Sequence, residues 1–446
     1  MTSTIFAQIS NVGKSAISVF RISGKKSFLA LKKLGVKKKI NHAKFFLSNI
    51  YCPSSKDLID KAMIVGFKAP NSFTSEDVVE IHTHGGIAIS NFVTEILLNI
   101  PGIKHAENGE FSKRAFLNQK IDLTQAEAIC DLINSQTRMQ HKQAIRQLKG
   151  DLGNLYKKWR KSFVKIISVL ETNIDFPDEI IPQNTLNEVQ KEIDIIKKQM
   201  LDHLNDKNHG EKLRNGITIG IFGKPNVGKS SLINIISKRN IAIVTDTSGT
   251  TRDIIETHLD IGGYPIILSD TAGIRNDASN EIEKIGIKKS LELKQSCDIE
   301  ILTYSIQDIE KSITDNTKSK DTILVINKVD LISEAKLKNY KSKKKFKDAI
   351  FISCHQKKGI KSLTDEIIKK ISGKAFASNN PIITRNRHRK SIKESLIHLK
   401  KSQKEQDIVI VAEEIRQAMR NIEIIIGNVS SEEILGEIFS SFCIGK

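Results

Sequence analysis

The chain has 446 residues, of which 39% are hydrophobic and 27% charged, a balance that excludes a wholly disordered chain and a fibrous protein. Its 70 Lys and Arg residues against 51 Asp and Glu give a net charge of +19, which suits a nucleic acid partner but also fits a lysine-rich composition bias. No apolar run reaches the ~18 residues of a membrane span. The five scattered cysteines form no CxxC pair and suit a reducing compartment, so we expect a cytoplasmic protein without a membrane partner.

The N-terminal residues 1–118 are predicted to form an α/β domain. Apolar runs at Ala16–Ile22, Ala62–Phe67 and Val78–Ile81 are typical of strands and are separated by turn residues. The segment Asn11–Ser15 reads Asn-Val-Gly-Lys-Ser, as in a phosphate loop, but position 8 is Gln where such a loop requires glycine. We therefore expect no nucleotide at this first copy.

A helical pattern begins near Leu123. The tetrapeptide Thr124–Glu127 fits a capping box, in which the Thr hydroxyl and the Glu carboxylate bond the first free amides of a helix. A long stretch poor in turn residues runs to about Asp175, and Pro177 ends it. Six apolar residues then recur at helical spacing and predict one buried face: Leu186, Val189, Ile193, Ile196, Met200 and Leu204.

Alternating strand and helix patterns interrupt this helical sequence. They begin with the β-rich run at 216–223 and continue to about Ile371, as in a doubly wound α/β fold. Helical patterns return over 387–402 and 408–426, and Ser430–Glu433 fits a second capping box before a last short helix. Helical sequence on both sides of the α/β block predicts that one domain is inserted into another.

Four segments result from these boundaries. The predicted fold is multidomain, α/β plus all-α, with an N-terminal α/β domain at 1–118 and a doubly wound domain at 214–374. The helical domain is discontinuous, with its first part at 119–213 and its second part at 375–446.

The second copy of Asn-Val-Gly-Lys-Ser, at 226–230, has the context that the first copy lacks. Gly223 stands five residues before Gly228, a strand pattern precedes it, and a helix pattern follows. Backbone amides of such a loop point at the phosphates, Lys229 neutralises their outer oxygens, and the Ser230 hydroxyl is a ligand for Mg²⁺. The predicted contacts are Asn226, Val227, Gly228, Lys229, Ser230 and Ser231, with Lys229 also acting in catalysis.

Two later segments complete a phosphate and metal site. Thr251 offers a second hydroxyl to Mg²⁺, Asp270 can hold the metal through water, and the Gly273 amide can sense the γ-phosphate. The predicted nucleotide contacts in these segments are Thr245, Asp246, Thr247, Ser248, Gly249, Thr250, Thr251, Asp270, Thr271, Ala272 and Gly273.

Two further segments are predicted to read the base. The Asp330 carboxylate can accept both hydrogen bonds from the N–H edge of guanine, which adenine cannot donate. Ser353 lies where the last base-contacting loop belongs. The predicted contacts are Asn327, Lys328, Val329, Asp330, Ser353 and Cys354. The ordered segments together predict that the substrate is GTP.

Position 274 differs from a Ras-type enzyme, because it holds Ile where Ras has the Gln that orients the attacking water. Ordered motifs also lie outside the GTPase segments, at Phe20–Gly24, Asn71–Gly86, Gly109–Asn118, Leu123–Ala128 and Phe442–Lys446. By these motifs and the GTPase segments, the whole chain resembles the MnmE (TrmE) family of tRNA-modifying GTPases. The resemblance implies that the N-terminal domain binds folate and dimerises, and that the inserted domain is a Ras-like GTPase.

The resemblance also implies how GTP is hydrolysed. A monovalent cation, normally K⁺, would occupy the place of an arginine finger, held by Asn226, Thr245, Thr247 and Thr250. The water-orienting carboxylate of the family matches Glu283, and Glu281, two residues earlier, is the rival on chemistry alone.

The resemblance assigns a one-carbon tetrahydrofolate, 5-formyl or methylene, to the N-terminal domain. The matching positions are Arg21, Glu80, Lys120 and Lys446. Basic groups suit the glutamate tail and a carboxylate suits the donor edge of the pterin, although from the residues alone each is an ordinary surface or turn residue. Cys443 is predicted to act as a nucleophile or base on the uridine ring, and the alternative is that it only packs the tail.

The implied reaction adds a carboxymethylaminomethyl-type group to the wobble uridine of certain tRNAs. The implied partners are tRNA, a second copy of the chain, and the FAD-dependent subunit MnmG in a heterotetramer. A ribosome-assembly GTPase acting as a binding switch is one alternative, and a scaffold that binds GTP without turnover is another. Basic clusters at Lys341–Lys347 and Arg385–Lys393 either track RNA backbone or form solvated surfaces.

Overall fold

A computed structural model describes residues 3–176, 183–242, 256–270, 294–309, 321–372, 381–429 and 432–446. The chain divides into two units. The first unit comprises residues 1–130, 147–193 and 393–446, and the second comprises residues 131–146 and 194–392. Among the helices of the described ranges, none combines the length and the apolar character that crossing a bilayer requires.

The first unit contains a six-stranded sheet. Its strands are β1 (Thr4–Gln8), β2 (Ile17–Ser23), β3 (Phe46–Tyr51), β4 (Leu58–Phe67), β5 (Val78–His84) and β6 (Ile103–His105), and its nearby helices are α1 (Ser27–Lys33), α2 (Ile87–Leu98) and α3 (Glu110–Leu117). The spatial order is β3-β4-β5-β2-β1-β6, and only the β1–β6 pair is parallel. Phe6, Phe20 and Ile81 are fully buried in its core. The three predicted strands are confirmed, and β4 starts four residues earlier because Leu58–Lys61 pairs with β3.

Long helices follow the sheet along the chain. They are α4 (Leu123–Ile133), α5 (Arg138–Leu148), α6 (Asp151–Asp175) and α7 (Gln183–Leu204). On α7, Val189, Ile193, Ile196 and Met200 are buried as predicted, whereas Leu204 is only half-buried and the side chain of Leu186 lies outside the description. Pro177 also lies outside the described residues.

The predicted capping box at the start of α4 is wrong in its position. The hydroxyl of Thr124 donates to Asp122 Oδ1 at 2.7 Å instead of capping an amide. Asp122 Oδ1 accepts from the Gln125 amide, and Gln125 Oε1 accepts from the Asp122 amide, each at 3.0 Å. The reciprocal box therefore lies two residues earlier, because Asp122 and Gln125 offer the same pair of acceptors closer to the first turn.

The second unit is built on a seven-stranded sheet. Its elements are α8 (His209–Asn215), β7 (Ile217–Phe222), α9 (Lys229–Arg239), β8 (Ile241–Ala242), β9 (Glu256–Ile261), β10 (Tyr264–Asp270), β11 (Ile299–Ser305), β12 (Thr322–Asn327), α10 (Glu334–Ser342), β13 (Ile350–Phe351) and α11 (Ile360–Ile371). The order is β13-β12-β11-β7-β10-β9-β8, in which the first five strands are parallel and β9 and β8 are antiparallel to their neighbours. This mostly parallel sheet with intervening helices confirms the doubly wound prediction.

The chain ends in three helices, α12 (Asn386–Ser402), α13 (Ile408–Ile426) and α14 (Glu432–Ser440). In the first unit α13 packs against α6, whose buried face includes Trp159 and Phe163. The second predicted capping box cannot be assigned a geometry, since Ser430 and Ser431 lie outside the described residues. The fold is thus multidomain, α/β plus all-α, as the sequence predicts.

Candidate functional site

The phosphate loop lies between β7 and α9, at the carboxyl end of a central parallel strand. Asn226 and Gly228 both have left-handed backbones, with φ of 61° and 97°. At Gly228 an added Cβ would lie 2.4 Å from Asn327 Nδ2, so only glycine allows the loop and that side chain to approach so closely. The local sequence therefore fixes the curled path from strand to helix.

Lys229 is the first residue of α9, directly after this curl. Its ammonium group donates to the carbonyl oxygens of Gly223 at 2.9 Å and Lys224 at 3.1 Å, which holds the positive charge over the loop. Ser230 and Ser231 are exposed in the first helical turn. A helix N-terminus presents free amides and the positive end of its dipole, so the arrangement suits an anionic phosphate.

Asn327, at the end of β12, connects three loops and is only 1% exposed. Its Nδ2 donates to the carbonyl of Val227 at 2.9 Å, and its Oδ1 accepts from the amides of Lys328 at 2.7 Å and Cys354 at 3.1 Å. One buried side chain therefore ties the phosphate loop to both predicted base-reading segments.

The base-reading segments converge on Asp330. Ser353 Oγ donates to Asp330 Oδ1 and accepts from the Gln356 amide at 3.0 Å. The hydrogen bond from Ser353 lowers the pKa of Asp330, which keeps the carboxylate ionised as an acceptor. Burial raises the pKa of the Cys354 thiol to about 11, so this cysteine offers its backbone rather than a reactive thiolate.

Several predicted residues of this site lie outside the described residues. They are Thr245, Asp246, Thr247, Ser248, Gly249, Thr250, Thr251, Thr271, Ala272, Gly273 and both candidate water-orienting residues, Glu281 and Glu283. Asp270 is the last residue of β10 and pairs in register with Ile221 of β7. Its backbone therefore lies at the same sheet edge as the start of the phosphate loop.

A second group of predicted residues meets in the first unit. Arg21 on β2 and Glu80 on β5 are cross-strand partners, and their side chains form an ion pair at 2.8 Å. The Arg21 guanidinium lies 5.7 Å from the ring centroids of both Phe73 and Phe111. His82 Nε2 is 3.6 Å from the other carboxylate oxygen of Glu80. Charged and aromatic groups of this kind can hold a planar polar ligand.

The C-terminal tail docks beside this group. The Phe111 amide donates to the Lys446 carbonyl at 3.0 Å, and Asn108 and Ile444 form an isolated β-bridge. Cys443 is exposed, and its carbonyl accepts from the Gly109 amide at 3.4 Å. The structure therefore brings Cys443 and Lys446 to the start of α3, next to an aromatic neighbour of Arg21.

Lys120 occupies a different setting. It lines a cavity of about 800 Å³ together with Phe116, Asp122, Lys157, Arg160 and Glu423, among others. Neither Arg21, Glu80 nor Lys446 lines this cavity. Two ion pairs cross its wall, Lys157–Asp122 at 2.7 Å and Arg160–Glu423.

Sequence reasoning missed the buried support behind Arg21. Arg114 pairs with Glu76 at 3.0 Å and with Glu110 at 2.8 Å, and Glu76 accepts from Ser23 at 2.7 Å. Ser23 ends β2, the strand that carries Arg21, so this network fixes the strand against α3. The sequence signal for this network was the motif Gly109–Asn118. Its charged residues Glu110 and Arg114 are part of a motif of the family resemblance, which favours a specific contact over a solvated helix face.

Comparison with known proteins gives the family. A model described as MnmE helical domain matches residues 123–443, and one described as GTP-binding protein TrmE N-terminus matches residues 4–120. The tRNA modification GTPase MnmE of Rickettsia bellii (strain RML369-C) is 48% identical over 446 residues, which cover 99% of this chain and 100% of that protein. The chain belongs to the MnmE family. The resemblance inferred from the motifs is thereby confirmed.

Other MnmE proteins show the same extent of similarity. Those of Rickettsia rickettsii (strain Sheila Smith) and Rickettsia prowazekii (strain Madrid E) are 48% and 47% identical, each over 99% of this chain and 100% of their own length. Among solved structures, the G domain of the T. maritima FeoB iron transporter is 24% identical with a TM-score of 0.24, covering 34% of this chain and 98% of that one.

Proposed function

We propose that the chain is a cytoplasmic, K⁺-dependent GTP hydrolase that works in tRNA modification. With FAD-dependent MnmG, it would add a carboxymethylaminomethyl-type group to C5 of the wobble uridine, using 5-formyl- or methylene-tetrahydrofolate. The observation that carries this proposal is the presence in one chain of the loops joined by Asn327 and of the Arg21–Glu80 pair beside the C-terminal tail. The names of its MnmE relatives, tRNA modification GTPases, support the part of this proposal that concerns GTP hydrolysis and tRNA modification.

Nucleotide binding would use the chain's own loop geometry. Amides of the loop and the Lys229 ammonium group would hold the phosphates, and Asp330 would accept from the guanine N–H edge. The exposed Ser230 hydroxyl, one residue after Lys229, fits a Mg²⁺ ligand, with Thr251 proposed as the second. These groups bind and orient GTP before any bond is cleaved.

Hydrolysis would depend on a second, monovalent cation. The exposed side chain of Asn226, carried on a left-handed backbone at the rim of the loop, fits the first ligand, and Thr245, Thr247 and Thr250 are proposed as the others. When bound, K⁺ supplies positive charge beside the β- and γ-phosphates, a role that as an arginine finger is worth roughly 10³–10⁵ in rate. Glu283 would orient the attacking water, with Glu281 as the rival.

The first unit would hold the folate. The Glu80 carboxylate suits the donor edge of a pterin, and the half-buried ring of Phe73 near Arg21 suits its flat face. Arg21, which pairs with Glu80, and Lys446 would bind anionic groups of the folate. Lys120 is assigned to the same ligand by the family resemblance alone, because it lines a cavity that none of these residues lines. The folate supplies the one-carbon unit, and Cys443, exposed in the docked tail, would act on the uridine ring.

The assembly is also part of the proposal. The folate-binding and dimerisation domain would be residues 1–118, the GTPase domain 214–374, and the helical domain 119–213 with 375–446. A homodimer would join MnmG in a heterotetramer, and closure of paired GTPase domains on GTP would gate the modification.

The deciding experiment is mass spectrometry of tRNA nucleosides from a deletion strain. We expect the modified wobble uridine to disappear and to return with the wild-type gene, but not with Lys229→Ala or Glu80→Gln. Lys14→Ala, in the first copy of the pentapeptide, is the matched control and should restore modification. Unchanged wobble uridines in the deletion strain, with precursor ribosomal particles accumulating, would instead establish a ribosome-assembly switch.

A further inference from the structure

The two basic clusters of the sequence have different surroundings in the second unit. In the 385–393 cluster, Arg385 pairs with Asp131 at 2.8 Å. Arg389 pairs with Asp206 at 2.7 Å and with Glu211 at 3.3 Å, and it is buried. These guanidinium groups neutralise carboxylates within the unit, so this cluster presents less charge than its sequence suggests.

The other cluster, Lys341–Lys347, is part of a longer lysine segment, defined here as residues 336–347. It contains seven lysines, all of them exposed, and no Asp or Glu, although Glu334 and Asp348 flank it. Five of these lysines have no ion pair with any carboxylate of the described residues: Lys336, Lys338, Lys341, Lys344 and Lys347. These five lysines therefore carry a concentrated positive charge that no carboxylate of the described residues neutralises.

The lysine segment is anchored to the second unit by hydrophobic packing. Phe346 is buried among Ile306, Ile309 and Ile326, and Tyr340 packs against the same cluster. The Lys341 ammonium lies 5.7 Å from the ring centroid of Phe351, and that of Lys343 lies 4.9 Å from the ring of Tyr340. Because aromatic rings anchor the backbone and steady two of the stems, the charges are displayed in a defined patch.

Repulsion between the lysines raises the free energy of the unbound patch, and an anionic partner can remove this repulsion. Lys338 and Lys341, three positions apart on α10, are neighbours on the helix surface and repel each other. A phosphate backbone removes this repulsion and releases its own counterions. Lysine is a flexible point charge, which suits contacts to phosphates that carry no sequence information.

We propose that the lysine segment binds the phosphate backbone of the tRNA substrate. This inference rests on the proposed function and adds to it a contact surface on the GTPase domain. A membrane surface fits less well, because the apolar side chains of α10, Leu337 and Tyr340, are half-buried and leave no apolar face to insert. The RNA would thus be held on the domain that hydrolyses GTP, because α10 follows the Asn327–Asp330 segment in the chain.

The test compares two triple variants of the full chain. The first is Lys336→Gln, Lys338→Gln and Lys344→Gln. The control is Lys198→Gln, Lys238→Gln and Lys361→Gln, which removes equal charge from exposed sites elsewhere in the second unit. The probe is an unmodified tRNA transcript with a wobble uridine, followed by fluorescence anisotropy over a series of KCl concentrations. Thermal unfolding and guanine nucleotide affinity without RNA confirm that each variant is folded.

We expect the first variant to lower the slope of log affinity against log salt by about 2–3 and the affinity at low salt by ~10-fold or more, while the control changes little. Equal slopes for wild type and first variant would overturn the proposal, as would equal losses in both variants. Binding of anionic lipid vesicles in place of tRNA would overturn it as well. Binding needs no modification activity, so failure of the wobble-uridine experiment would be seen separately.

Discussion

The chain contains Asn-Val-Gly-Lys-Ser twice, and the two copies have different structures. The first, at 11–15, joins β1 to β2, and its Val12 is 91% exposed. The second, at 226–230, joins β7 to α9, and its Val227 is 4% exposed. The same five residues thus form an exposed strand connection in one place and a packed strand-to-helix turn in the other.

The central glycines show what makes the difference. Gly13 and Gly228 both have positive φ, 120° and 97°. An added Cβ at Gly13 would meet nothing within 4 Å, whereas at Gly228 it would meet Asn327 Nδ2 at 2.4 Å. The two copies therefore share a positive φ at the central glycine, but only the second also has a left-handed asparagine, Asn226, and is packed against a buried side chain from a distant strand.

The largest contrast is expected between the two lysines. Lys229→Ala should lower the GTP hydrolysis rate by ~10²–10³-fold, because it removes a preorganised charge at the phosphates. Lys14→Ala removes the same side chain from a strand connection and should leave the rate unchanged. The measurement is phosphate release by the purified proteins at saturating GTP. Equal effects of the two changes would contradict the assignment of the site to the second copy.

Much of this site could be predicted because its signals are local. Gly223, Lys229 and Asp330 are recognised from spacing within a few residues and from the strand or helix pattern next to them. The doubly wound fold was predictable for the same reason, since each strand and helix carries its own periodicity.

Contacts between distant residues could not be predicted in this way. Asn327 donates to Val227 across 100 positions, and Arg114 reaches Glu76 across 38. Glu300 interrupts the apolar pattern of β11, but in the structure it accepts from Thr322 and pairs with Lys294, each at 3.0 Å. A single sequence gives the chemistry of such side chains but not their partners.

The next largest effect is expected on the choice of nucleotide base. Only the second copy of the pentapeptide is linked, through Asn327, to the segments predicted to read the base. Asp330→Asn replaces an acceptor of two hydrogen bonds by an amide, whose N–H group faces a guanine donor. We expect GTP to lose ~10²-fold or more in kcat/KM, and xanthosine triphosphate, whose ring offers an acceptor at that edge, to be preferred. Steady-state rates with both nucleotides measure this. A retained preference for GTP would show that Asp330 does not read the base.

Alanine substitutions at the two central glycines, Gly228 and Gly13, are expected to have smaller effects, which two different measurements can separate. Gly228→Ala must displace Asn327 from the loop, so we expect about tenfold weaker GTP binding, which corresponds to the ~1–3 kcal/mol of a disrupted buried hydrogen bond. Gly13→Ala should lower the free energy of unfolding by only the backbone cost of a positive φ, ~1–2 kcal/mol. Nucleotide titration and denaturant unfolding distinguish these outcomes. Loss of GTP binding in Gly13→Ala would contradict the separation of the two copies.

The smallest expected difference is between Asn226 and Asn11, the first residues of the two copies, in their effect on the preference for K⁺ over Na⁺. Asn226 lies at the rim of the loop with its side chain exposed and is the first proposed ligand of K⁺. On the proposed mechanism we expect GTP hydrolysis to be several-fold faster in KCl than in NaCl at equal ionic strength. Asn226→Ala should remove this preference, and Asn11→Ala should keep it. The measurement is the ratio of rates in the two salts for the three proteins, which cancels differences in folded fraction. Equal rates of the wild type in KCl and NaCl would remove the potassium mechanism while leaving the phosphate and base assignments intact, since neither depends on which ion fills that position.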